Sequence, residues 1–293
     1  GEEELRWPGG RRLLGLASLL GLAGLAGRWS GSLGQEDQSE QAYLTPEIKQ
    51  GSVLLSRPGG RFAFRQQYFH KAVILIIKHS PRFDAGLILN RPTALVTTQL
   101  GLPGPAWNVL FGGDVEGLRD SNLLFGDGAF YCLHTLGRLA GLSREVVPGV
   151  YLMELKQARE VVSRGDAKTS DLFFVFGYCG WGAGQLQREL DEGDSWKMAS
   201  VDSRILIREL REEALELRSM PQVGLDNGIA LWRHLYAIVD AGSPGQVPKR
   251  EDMLEAENLA EDELADAMLQ QWVDDNLRRP PGTFEMDLGG LQD

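Results

Sequence analysis

The chain has 293 residues, of which 43% are apolar, enough for a packed core in one large domain or two small ones. Its formal net charge of −11 is concentrated: ten of the acids fall within 251–277, which has no Lys or Arg, so the remainder is close to neutral. That distribution argues against a nucleic-acid binder or transcriptional regulator working by direct DNA contact, and two cysteines are too few for a disulfide scaffold and lack zinc-site spacing.

The chain begins with Gly rather than Met, and Arg11 and Arg12 precede fifteen uncharged, mostly apolar residues, 13–27, followed by small residues. A basic start, a short apolar stretch and small residues after it make the pattern of a cleaved export or targeting segment, shorter than a membrane-spanning helix. The paired arginines also suit a twin-arginine variant, and the alternative is an uncleaved anchor or flexible tail; residues 1–34 are set apart as a leader, and no stable membrane span is expected after processing. The polar stretch within 35–50 reads as a linker.

The domain proper is expected over 51–240. Short apolar, β-branched runs at 52–55, 72–77, 86–89, 109–111, 123–125, 150–153 and 172–176 have strand length and are bounded by Gly, Pro, Asp and Asn. "AVILII" and "LFFVF" are apolar at consecutive positions, as strands covered on both faces are. Helices are expected over 154–163, stopped by Gly165; from a cap at Asp202 or Ser203 through Leu217; and from a cap at Asp226 or Asn227 through Tyr236. Without strict strand-helix alternation, the class is α+β. A loop at 241–250 then leads to an acidic helix and tail over 251–293. Its apolar stripe is Met253, Ala256, Ala260, Leu264, Ala267 and Met268, flanked by Leu254 and Trp272. Such a face docks on the parent domain or, in a sharper reading, takes a protein partner through 251–277.

Four glycines, Gly177, Gly180, Gly182 and Gly184, follow the 172–176 run and precede a short amphipathic segment. Gln185 stands where a dinucleotide fingerprint needs its third glycine, and Ala183 follows Gly182 where a phosphate loop needs Lys. The spacing instead suits a corner between strand and helix, with positive φ and close backbone approach, and with Trp181 pressed into the core. Arg91, after an apolar strand, is read as a salt bridge or carbonyl clamp, or as a grip for an anion. Cys132 and His134 share one face of an extended segment, so a thiolate-imidazole pair is conceivable, with Cys179 the other thiol. A Cys132–Cys179 bridge stays open if the compartment oxidises. His70, His79, His134 and His234 show no metal-site spacing, and Trp181, Trp196 and Trp232 read as core anchors.

The strings "GSVLLSRP", "AVILIIKHSPRFDAGLILNRPT", "FGGDVE", "YCLH", "GVYL", "FGYCGWGAGQLQREL" and "SWKMASVD", in that order, resemble the motifs of the AlgH/YqgE family over residues 51–240. The resemblance implies a bifurcated, largely antiparallel sheet curled into a pseudo-barrel with packed helices, and no established reaction. Bacterial members look cytoplasmic, whereas longer versions with presequences occur in plastid-bearing lineages, which implies the chloroplast stroma or thylakoid lumen here. The chain departs from the family in Asp114, where Pro is usual, and in Cys179, where Ala is common. The expectation is a non-enzymatic binding or regulatory protein with neither cofactor nor metal, its ligand cleft near Asn90, Arg91, Gly112, Gly113, His134, Tyr178, Trp181 and Gln185. The alternative is a hydrolase-like enzyme using Cys132 or Cys179 with His134.

Overall fold

The computed structural model describes residues 42–99, 102–115, 130–219, 228–241 and 256–278. The expected leader over 1–34, the strand over 123–125 and the loop beyond residue 241 lie outside them, as do Met253 and Leu254 of the expected stripe.

Twelve strands among these residues form two six-stranded sheets. In the first, β1 (Ala42–Leu44), β12 (Trp196–Val201), β2 (Val53–Ser56), β3 (Val73–Lys78), β4 (Phe83–Ile88) and β11 (Cys179–Gly182) lie side by side, all antiparallel. β1 falls in the stretch expected to be linker and pairs with β12 along one edge. In the second, the order is β5 (Pro92–Val96), β6 (Asn108–Phe111), β10 (Leu172–Phe176), β7 (Phe130–His134), β9 (Val150–Glu154) and β8 (Arg144–Val147). Only β6 and β10 are parallel there. The class is thus α+β, built as two largely antiparallel sheets.

The continuous apolar runs are explained by burial on both faces. In β3, Val73, Leu75 and Ile77 enter a core shared by the two sheets, while Ile74 and Ile76 enter a second core on the outer face of the first sheet. In β10, Phe173 and Val175 face the shared core, and Leu172, Phe174 and Phe176 face a third core outside the second sheet. Period-two alternation is present in the side-chain directions but invisible in the letters, because neither face meets water.

Each core has its own helices. α1 (Leu155–Ser163) begins with a capping box between Glu154 and Gln157, stops before Gly165 at φ +77°, and buries Leu155, Ala158 and Val161 against the second sheet. α3 (Ser203–Ser219) and α4 (Ile229–Ala241) complete the shared core, where the Trp232 indole donates to the Ser56 carbonyl at 2.9 Å. α2 (Gln185–Glu192) and α5 (Ala256–Asn276) cover the outer face of the first sheet. Among the described residues no helix is long and apolar enough to cross a membrane.

α5 docks on the domain with a different face from the expected stripe. Ala265, Leu269, Val273 and Leu277 are buried at four-residue spacing, whereas Ala260, Leu264 and Ala267 are exposed. The true contact stripe is turned by one residue, about 100° around the helix. Its first member is Asp262, a fully buried carboxylate that an apolar-stripe search passes over.

Candidate functional site

The connection from β2 to β3, residues 57–72, folds into a compact loop with two short 3-10 turns, Gly60–Phe62 and Gln67–Phe69. Gln66 (φ 57°) and Lys71 (φ 51°) adopt left-handed backbone, which costs about 1 kcal/mol or more for each side chain with a Cβ and persists only where the surroundings fix it. Phe62, Tyr68 and Phe69 are buried in the outer core and stack on Trp196 and Phe111 at centroid distances of 5.2–5.4 Å. Arg61, Arg65 and Gln66 stay exposed along the loop's outer side.

Asn90 and Arg91 hold this loop from below. Both are fully buried. The Asn90 amide accepts from Val73 N at 2.9 Å and donates to the carbonyls of Lys71 (2.9 Å) and Gly228 (2.7 Å). The Arg91 guanidinium donates to the carbonyls of Tyr68 (3.2 Å), Asn90 (2.7 Å) and His70. Of the two structural readings and one ligand reading, the structure therefore shows the carbonyl clamp.

The glycine cluster does more than make one corner. At Gly177 (φ +73°) the chain leaves β10 in the second sheet and enters β11 in the first, and at Gly184 (φ +65°) it turns again into α2. The crossing is tight, with Gly112 N donating to Phe176 O at 2.7 Å and Gly112 O accepting from Ile88 N at 2.9 Å. A Cβ on Gly112 would meet Gly177 O at 2.4 Å, and one on Gly113 (φ +149°) would meet the Tyr178 carbonyl carbon at 2.2 Å. These two glycines let the sheets touch and keep Asp114 and Val115 beside Tyr178, with which Val115 forms an isolated bridge. A Cβ on Gly182 would make only an ordinary contact with Gln185 Oε1 at 3.9 Å, and its φ is not positive, so the cluster explanation does not extend to it.

Between this crossing and the 57–72 loop lies a cleft of about 400 Å³. Tyr178, Trp181 and Gln185 line it, as the sequence led one to expect, together with Arg61, Arg65 and Asp114. Its inner wall is organised by Glu189 of α2. One carboxylate oxygen accepts from the indole N–H groups of Trp181 (3.1 Å) and Trp196 (2.8 Å), and the other accepts from Gln185 at 2.9 Å. Gln185 in turn accepts from Gly182 N at 3.1 Å. The two indoles are thereby fixed 6.4 Å apart and nearly perpendicular, and both line the cleft. Arg61, which also lines the cleft, is steadied by Ser195 at 3.2 Å and Asp194 at 3.6 Å.

The other expected site residues lie elsewhere. Asn90 and Arg91 are beneath the loop, and Gly112 and Gly113 stand behind the cleft. His134, at the end of β7, stacks on Tyr151 at 5.3 Å in the second sheet. Its Nδ1 accepts from Leu136 N at 3.2 Å, so Nε2 carries the proton and donates to Ser143 Oγ at 2.7 Å, which itself donates to the Leu139 carbonyl. Burial, then the nearby Arg138 charge, lowers its pKa to about 4.

That arrangement opposes the thiol alternative. Cys132 and Cys179 are both free and buried, in different cores, which also rules out the bridge. Burial pushes both thiols up, with Arg159 only partly offsetting the effect at Cys132 and Asp114 adding to it at Cys179. A Cys-His nucleophile needs a lowered thiol and an imidazole free to take its proton. Here the thiols are raised and both nitrogens of His134 are engaged.

Sequence reasoning missed Arg61, Arg65, Asp114 and Glu189 as cleft residues. Glu189 lies within the string "FGYCGWGAGQLQREL" without being singled out there. Its signal was its place four residues after Gln185, on the helix face that returns to Trp181.

The family profile described as DUF179, AlgH-like, matches residues 61–225. A UPF0301 protein of Bordetella avium is 33% identical over 165 residues, covering 53% of this chain and 76% of that protein. One of Chlorobium luteolum is 31% identical over 136 residues, covering 45% of this chain and 66% of that protein. Among solved structures, the AlgH protein from Pseudomonas aeruginosa is 22% identical with a TM-score of 0.42, covering 60% of this chain and 92% of that one. The chain belongs to the AlgH-like family.

Proposed function

We propose that the protein is a non-enzymatic binding or regulatory protein whose ligand occupies the cleft between the 57–72 loop and α2. One observation carries this reading: Glu189 ties Trp181, Trp196 and Gln185 into a fixed aromatic and polar wall, facing two exposed arginines across a space of about 400 Å³. A pre-formed concavity with an apolar body and a few placed polar groups is the usual form of a small-molecule site. Arg61 and Arg65 suit an anionic group, and the indoles suit a flat apolar body. The ligand class is accordingly a small aromatic or otherwise apolar anion. The buried, raised thiols support the non-enzymatic part of the reading.

Titration of the labelled protein with indole-3-acetate, and with neutral indole as control, tests this by NMR. The carboxylate is expected to shift the indole N–H resonances of Trp181 and Trp196 at concentrations where indole does not, and Arg65→Ala is expected to weaken that response. Equal responses to both probes, or none, would contradict it.

The reading extends to a plastid location. Its support is the resemblance to longer AlgH/YqgE-type versions with presequences in plastid-bearing lineages, beside a targeting-like pattern in residues 1–34, a paired-arginine start and an uncharged apolar stretch. Residues 1–50 fused to a fluorescent protein in a plastid-bearing cell are expected to direct it to the organelle, and a cytosolic signal would contradict this.

A further inference from the structure

The acidic C-terminal helix lies outside the residues that match the family, and it brings a second charged cluster to the same loop that walls the cleft. Asp262 and Asp266, one helical turn apart on α5, face residues 59–71. The Lys71 ammonium lies between them, 3.0 Å from Asp262 Oδ2 and 2.6 Å from Asp266 Oδ1. His70 Nε2 is 2.8 Å from Asp266 Oδ1, and Gly59 N donates to Asp262 Oδ1 at 2.9 Å. Asp262, His70 and Lys71 are all buried. Further along the helix, Trp272 packs on Tyr68 and Phe111, each at 5.2 Å, and the Leu277 carbonyl accepts from Ala94 N of β5 at 2.8 Å.

Tyr68 is shared: one side meets Trp272 of α5 and the ring also lines the cleft. The neighbouring Lys71 is one of the two left-handed positions that shape the loop, and its side chain is the one the two aspartates hold. The loop is therefore held from two directions. Arg91 fixes its carbonyls from inside the family domain, and α5 fixes its flank through a pair of carboxylates at i and i+4.

We infer that α5 is an intramolecular clamp on the cleft loop: docked, it sets the wall that carries Arg61, Arg65 and Tyr68, and released, it lets that wall loosen. Only the consequence for ligand retention rests on the cleft being the binding site.

Hydrogen exchange on the full chain tests the clamp. Asp262→Asn with Asp266→Asn strands the Lys71 charge, and exchange in α5 and in residues 59–71 is expected to rise together by about tenfold or more, with β7 and β10 unchanged. Leu269→Ala, which attacks the apolar face and leaves the charges alone, is expected to reproduce the same paired rise. The inference is overturned if α5 exchanges freely while 59–71 stays as in the wild type, or if neither variant releases α5. It is equally overturned if β7 and β10 loosen as much as the loop, since α5 would then be part of the general core. Retention of indole-3-acetate, measured in parallel, is expected to fall in both variants. A wild-type protein that takes up none of it would end the cleft reading while leaving the exchange result to decide the clamp.

Discussion

The guanidinium of Arg91 donates to the carbonyl of Tyr68 at 3.2 Å, so a residue at the end of a strand motif sets the backbone of a loop more than twenty positions earlier. Arg91 spans the carbonyls of Tyr68, His70 and Asn90 from one planar group, which the single ammonium of lysine has no means of copying. Arg91→Lys is expected to lower stability by about 2–4 kcal/mol, read from the urea midpoint, because buried carbonyls lose their donors. A loss below about 0.5 kcal/mol would show that the clamp matters little.

Glu189 is the acceptor for two indoles and an amide. Glu189→Gln keeps the shape but replaces a carboxylate by an amide with one acceptor oxygen, so at least one of Trp181, Trp196 and Gln185 loses its partner. The expected cost is about 1–3 kcal/mol, with a downfield-to-upfield change in one or both indole N–H resonances. Unchanged resonances of both indoles and of the Gln185 side-chain amide would contradict the assigned geometry.

Acidification is expected to destabilise the fold through its buried histidines. His134 titrates at about 4 in the folded chain against an ordinary 6.5, and burial lowers His70 as well. Because the unfolded chain takes up these protons first, the contribution is fully present above about pH 6.5 and is lost progressively as pH falls toward 4. Urea midpoints compared at pH 7 and pH 5 are expected to differ less for His134→Gln than for the wild type. An equal difference would assign the pH dependence elsewhere.

The thiols provide a separate check. Native Cys132 is expected to resist alkylation that proceeds readily in urea, since burial both hides it and disfavours the thiolate. Cys132→Ser is expected to leave retention of indole-3-acetate intact. Rapid alkylation of the folded protein would restore the nucleophile alternative.

Much of the framework was legible from local signals. β3 and β10 announced themselves as doubly covered strands, α1 and α3 by cap or stop signals and apolar spacing, and α4 by apolar spacing, its expected caps Asp226 and Asn227 lying outside the described residues. β11 was not legible, since "CGWG" has no strand composition and is extended only because β4 pairs with it. β5 begins with Pro and was hidden for a similar reason. The face on which α5 docks was misread because its anchor is a buried aspartate whose partner, Lys71, is 191 residues away in sequence. For the cleft, the strings around Tyr178, Trp181 and Gln185 contain three of the residues that line it. The facing wall, residues 57–72, depends on left-handed turns and on the long-range holds of Arg91 and α5, which no local pattern encodes.

Whether the cleft beside Trp181 holds a small molecule is decided by native mass spectrometry of the wild type and of Val115→Trp. Val115 lines the cleft and pairs with Tyr178 through its backbone alone, so the larger side chain fills the space without removing a side-chain hydrogen bond. A one-to-one complex with indole-3-acetate is expected for the wild type, and loss of that complex in the variant. Equal occupancy in the two proteins, or none in either, would contradict it.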